Sequence, residues 1–153
     1  MTGLREFAIV LTAAMTTVVQ APPAHADETM TITGAWARPD LGGSNMSVLY
    51  MSLNNSGSQA DVLVSVASPD AESTQLHVSA VENGMVNMQP LAEVALPPGQ
   101  TVLFRPKGMH VMLKGLKHPL KAGDHIAATL TFKTHAPVTV DAIVSMTPPS
   151  GPN

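Results

Sequence analysis

From residue 30 onward, apolar and polar side chains alternate with period two far more often than with the 3.6-residue period of a helix. The clearest run is 125–133, His-Ile-Ala-Ala-Thr-Leu-Thr-Phe-Lys, in which Ile126, Ala128, Leu130 and Phe132 fall on one face. Strands are predicted over 30–36, 46–53, 61–67, 73–79, 85–89, 101–105, 109–113, 125–133 and 137–145. Turn formers separate them: Asn54-Asn55-Ser56-Gly57, Glu82-Asn83-Gly84, Pro97-Pro98-Gly99 and Ala122-Gly123-Asp124 supply the φ values that tight connections need. Segment 37–45, with Pro39, Gly42 and Gly43, reads as a longer loop. Many short strands joined by frequent turns predict an all-β fold of two packed antiparallel sheets, a β-sandwich.

The first 26 residues break this pattern. Residues 7–19 form an uncharged, mostly apolar run too short to span a bilayer, and Ala24-His25-Ala26 supplies an A-x-A cleavage signal before Asp27. A removed secretory leader over 1–26 is expected, although Glu6 offsets Arg5 in its charged region. The domain would then cover 27–146, and the tail 147–153, Thr-Pro-Pro-Ser-Gly-Pro-Asn, is expected to be disordered. No second apolar segment reaches membrane-spanning length, so the expected product is exported, soluble and without a membrane anchor.

Composition narrows the function classes. Eight Lys and Arg against 11 Asp and Glu give a formal charge of −3 with no basic cluster, which excludes a nucleic-acid partner. Cysteine is absent. Stability must therefore come from packing, and blue-copper electron transfer, thiol-disulfide exchange and a lipid-modified amino-terminal cysteine are all excluded. Ten methionines accompany only three Phe, one Trp and one Tyr, so some of the thioethers are candidates for a task beyond filling space.

One local pattern carries chemistry. In Gly108-Met109-His110-Val111-Met112-Leu113, a strand would point His110 and Met112 the same way, about 7 Å apart, with Met109 and Val111 inward. The opposite register would bury His110, which costs free energy unless the imidazole is paired. Upstream stand His77 and Met88, with ten residues between them and twenty-one more before His110. Taken singly, each has an ordinary reading: a strand histidine is usually a surface or hydrogen-bonded group, and a methionine usually fills a core. His118, His125 and His135 have no thioether two residues away and read as solvated or structural. Taken together, two imidazoles and two thioethers form a soft set suited to cuprous copper and poorly suited to zinc, calcium or magnesium.

The spacing His77-x10-Met88-x21-His110-x-Met112 resembles the signature of the PCu(A)C family of periplasmic copper chaperones. The flanks resemble it too: Ala35-Trp36-Ala37-Arg38-Pro39, Tyr50-Met51-Ser52-Leu53-Asn54-Asn55, Leu96-Pro97-Pro98-Gly99, and the Gly-Leu-Lys-x-Pro-Leu-Lys-x-Gly-Asp run ending at Asp124. This resemblance covers about 30–145. It implies a cupredoxin-like antiparallel β-sandwich in which His77, Met88, His110 and Met112 bind one Cu(I), with Cu(II) as a second ion the histidines can take. It further implies a periplasmic, monomeric carrier that is not an enzyme. The implied partner is a copper-accepting protein such as cytochrome oxidase subunit II or a thiol-based copper assembly protein, and the implied task is delivery toward cytochrome c oxidase copper-site assembly.

Two departures stand out: Val78 occupies a position where many members have Met, and the tail offers only Met146 where some carry His- and Met-rich extensions. Met85 and Met109 are read as packing residues. Four ligands fill the shell of a d¹⁰ ion and leave no open position for a substrate, which favours a carrier over a catalyst. Two other classes stay open on the residues alone: a copper redox protein, which the missing cysteine disfavours, and a metal-free β-sandwich that binds an envelope protein or peptide.

Overall fold

The structure, a computed structural model, describes residues 30–40 and 42–149; the expected leader over 1–26 and the end of the tail from 150 lie outside the described residues. Residues 147–149 follow the last strand as exposed chain. Ten strands form: β1 (Met30–Ala37), β2 (Met46–Asn55), β3 (Asp61–Ala67), β4 (Ala71–Glu82), β5 (Met85–Leu91), β6 (Val94–Leu96), β7 (Gln100–Phe104), β8 (Met109–Leu116), β9 (His125–Phe132) and β10 (Val138–Val144). No helix occurs among the described residues.

The strands hydrogen-bond in the order β5-β4-β8-β7-β2-β1-β10-β9-β3-β6, with β8 also pairing directly with β2. This ribbon folds over itself, so that β3 lies against β4 and β6 against β2 and β7. Inward residues of both layers meet in one core that includes Leu49, Leu53, Leu63, Val111, Leu113 and Leu130, all fully buried. The alternation anticipated in β9 is realised, with Ile126, Ala128, Leu130 and Phe132 all buried.

The all-β sandwich expected from the pattern is the observed fold, with two refinements. First, two of its pairings are parallel, β1 with β10 and β7 with β8; β1 stays paired with antiparallel β2 to its end, and its residues Trp36 and Ala37 also pair with β10 on the other side. Second, β6 forms where no strand was expected, since three residues are too short a run to show alternation. β4 and β8 also run past their predicted ends, and β5 continues through Pro90. Proline is tolerated there because β5 is an edge strand, with β4 as its one neighbour among the described residues.

Two local devices set the face on which side chains emerge. Between Thr33 and Trp36 the β1–β2 register shifts, and Gly34 takes a φ of 61°. The bulge inserts one extra residue into β1 and reverses its parity. Met30 and Ile32 point to the core before it, Ala35 and Ala37 after it, and Trp36 is turned to the opposite face. At the tip of the β4–β5 hairpin, Asn83 and Gly84 both have positive φ, 53° and 77°. This is the two-residue turn whose twist matches the flanking strands, and it fixes the register Glu82 to Met85, Ser79 to Met88 and His77 to Pro90.

Candidate metal centre

Strand register assembles the site. His77 on β4 is directly opposite His110 on β8, and Gln75 is opposite Met112. On the other side of β4, Ser79 is opposite Met88 of β5. Directly paired residues project to the same face and diagonal neighbours remain within reach of long side chains, so His77, His110, Met112 and Met88 share one face of the β5–β4–β8 sheet. Their neighbours Leu76, Val111 and Leu113 point into the core on the opposite face. The expected outward register of the His-x-Met step is the one observed.

Packing differs from residue to residue. Met112 packs against Trp36, Val48 and Tyr50, a small apolar cluster separate from the main core. Rings then run in a chain along the face: Trp36 to Tyr50 with centroids 4.8 Å apart, Tyr50 to His110 at 6.5 Å, and His110 to His77 edge-on at 5.7 Å. Under this cover His110 is only 3% exposed, although it faces away from the core. Met88, by contrast, is 55% exposed on the edge strand. Three of the four residues therefore sit in packed surroundings and the fourth stands open to solvent.

Both histidines carry one satisfied and one orphaned nitrogen. His110 Nδ1 donates to the carbonyl of Gly108 at 3.1 Å, an oxygen that also accepts the Ser79 N–H. Its Nε2 is buried without a partner, as is Nδ1 of His77. A buried polar atom left unpaired costs roughly 1–3 kcal/mol, and here two such atoms belong to neighbouring imidazoles whose ring centroids lie 5.7 Å apart. The neutral form is the one that ligates. His77 has its pKa lowered, chiefly by burial and further by the neighbouring His110 and Lys114, so its imidazole resists protonation.

The remaining candidates fall away from this face. His118 pairs with Asp70, His125 with Asp141, and His135 binds the Ala136 carbonyl and abuts Phe132, which agrees with a solvated or structural reading of all three. Met109 packs against the core as expected. Met85 does not: it is 64% exposed near the hairpin tip, which overturns its reading as a packing residue because β5 there overhangs the core. Val78 lies on the face opposite His77, across from Met109. Among the described residues no three His, Asp or Glu side chains converge on a metal-sized space. The sequence reading missed Gln75 and Lys114, which flank His77 and Met112 at two-residue spacing, and the Trp36–Tyr50 cover; simple alternation would have found the first pair.

A sequence model of the family described as "Putative lipoprotein LpqE-like" matches residues 30–144. The chain belongs to this LpqE-like family. A relative named as a putative lipoprotein of Leifsonia xyli subsp. xyli is 37% identical over 114 residues, covering 74% of this chain and 67% of that one. An uncharacterized protein of Rickettsia prowazekii is 30% identical over 101 residues, or 63% of this chain and 56% of its own. The LpqE-like chain thus spans about half to two thirds of these relatives. It also superposes on solved PCuAC domains. The copper-bound PCuAC domain from PmoF2 matches with a TM-score of 0.66 and 31% identity over 78% of this chain and 95% of that one. The solution structure of CuI-DR1885 from Deinococcus radiodurans matches with a TM-score of 0.58 and 32% identity over 82% and 80%. The LpqE-like chain is thereby a PCuAC-type domain with the cupredoxin-like β fold. Its 153 residues hold no cysteine.

Proposed function

We propose that this protein is an exported copper carrier that binds one Cu(I) through His77, Met88, His110 and Met112 and passes it to a copper-accepting protein, in the direction of cytochrome c oxidase assembly. The observation that carries the reading is the pair of facing imidazoles with unpartnered buried nitrogens, beside two thioethers on the same sheet face. Copper bound in relatives of the same fold supports the choice of ion, and the thioethers favour the cuprous state. Cu(II) is a second ion that the imidazoles alone can take. Domain limits of 27–146 after removal of a leader over 1–26, a periplasmic location and a monomeric state belong to the same proposal.

The packing suggests how the ion leaves. His110 and Met112 are held under Tyr50 and Trp36, whereas Met88 stands exposed at the sheet edge. An acceptor's first ligand would replace the Met88 thioether and then take the ion from the imidazoles, each step exchanging one soft ligand for another. Four soft ligands leave no position for an activated water, so transfer rather than catalysis follows.

An anaerobic competition titration against a coloured Cu(I) chelator tests the reading. One tight equivalent is expected in the parent and none in the Met88→Ala/Met112→Ala variant. A parent that fails to compete, or a variant that retains full affinity, overturns it.

A further inference from the structure

A lysine beside a site for a cation needs a reason. Lys114 is two residues from Met112 on β8 and emerges on the ligand face, where its positive charge by itself opposes the binding of any metal ion. Its Nζ, however, lies 2.6 Å from Oε1 of Gln75, and the same Oε1 lies 3.2 Å from Nε2 of His77. Gln75 is on β4 two residues before His77 and directly opposite Met112, so the three groups form a line along the ligand stripe.

The hydrogen-bond chemistry has one solution. An ammonium has donors only, so the carboxamide end facing Lys114 must be its oxygen, whose two lone pairs can accept two hydrogen bonds. An oxygen so held can meet His77 Nε2 only if that nitrogen carries the proton. A neutral imidazole protonated at Nε2 has its lone pair on Nδ1, and Nδ1 is the buried atom without a partner. On the other ring the Gly108 carbonyl enforces the mirror arrangement, with the proton on Nδ1 and the lone pair on Nε2.

We infer that Lys114 and Gln75 act as a positioning relay: the ammonium fixes the orientation of the Gln75 amide, and the amide fixes the tautomer and ring orientation of His77 so that Nδ1 faces the site. Without Lys114 the amide is free to turn and offer its NH₂ to Nε2, which moves the imidazole proton to Nδ1 and closes that lone pair. Lys114 thus serves the site despite its charge. The tautomer stands on the hydrogen bonds alone; its use toward copper rests on the proposed function.

Two measurements on the full chain separate these claims. Long-range ¹H–¹⁵N spectra of the copper-free protein at pH 8 are expected to show His77 protonated at Nε2 in the parent and in Gln75→Glu, which keeps the acceptor. Gln75→Leu and Lys114→Leu should each populate the form protonated at Nδ1. In Cu(I) competition, Lys114→Leu should bind about tenfold more weakly, the usual size of an outer-shell loss, whereas removal of a repelling charge would by itself tighten binding. Equal or tighter binding by Lys114→Leu, or an unchanged His77 tautomer in both Gln75→Leu and Lys114→Leu, overturns the relay. A tautomer that shifts in both variants while the parent takes up no copper upholds the relay and overturns the copper reading instead.

Discussion

At the scale of single residues, the site is a compromise between a stable fold and a ready ligand. His77 and His110 each forgo one hydrogen bond in a buried setting, and burial is the main cause of the lowered pKa of His77. The sign of the pH dependence follows. An unfolded chain would protonate His77 near its ordinary value of 6.5 while the folded chain would not, so between the two pKa values the unfolded state binds more protons and stability falls as pH falls. Urea unfolding of the copper-free protein should show a midpoint that declines once pH drops below about 6.5 and flattens below the folded pKa. A His77→Phe variant should lose that part of the decline. A parallel decline in the variant would mean that other groups set the pH response. If His77 binds copper as proposed, the same shift helps, because the imidazole stays unprotonated to lower pH than an unperturbed histidine.

At the scale of elements, the position of Met88 depends on the β4–β5 turn. Asn83 and Gly84 both adopt positive φ, and a strand register displaced by one residue would carry Met88 to the other face. A Cβ at Gly84 meets no neighbouring atom, so the penalty for substitution is backbone strain alone. Gly84→Val is expected to cost about 1–2 kcal/mol in this left-handed conformation and to weaken Cu(I) binding, read by denaturant unfolding and chelator competition, with the core strands intact. Unchanged affinity would show that Met88 finds the ion without the turn. Local signals of this kind, Asn-Gly at a hairpin tip and His-x-Met on a strand, were legible in the sequence. The His77–His110 pairing was not, since it joins strands distant in the chain and only resemblance to a known spacing connected them. Trp36 was illegible for another reason: period-two alternation from Met30 and Ile32 carries no information about the parity change at Gly34.

Considered as a whole molecule, the domain keeps the four proposed metal ligands at one end of a long folded ribbon. They come from β5, β4 and β8, whereas β10, β9, β3 and β6 build the far portion of the sheet and contribute no proposed ligand. Most of β5 is exposed, with Val86 and Met88 on the face of the proposed ligands beside Val81, and among the described residues its only strand partner is β4. Hydrogen bonds to β4 are thus what retains the hairpin, and local opening there requires little loss of buried apolar surface. An ion bridging Met88 to His110 would tie β5 across β4 to β8 and add a constraint that the copper-free chain lacks. Hydrogen exchange should therefore show the amides of Val81–Met88 gaining protection on Cu(I) loading well beyond that of β3 and β9. Binding confined to the native state should also raise overall stability, by about 2.7 kcal/mol when free ion is a hundredfold above Kd. If thermal stability rose without added protection in the hairpin, the ion would be held by β4 and β8 alone. Met88 would then be a surface residue, and the first step of copper transfer would have to begin at a histidine or at Met112.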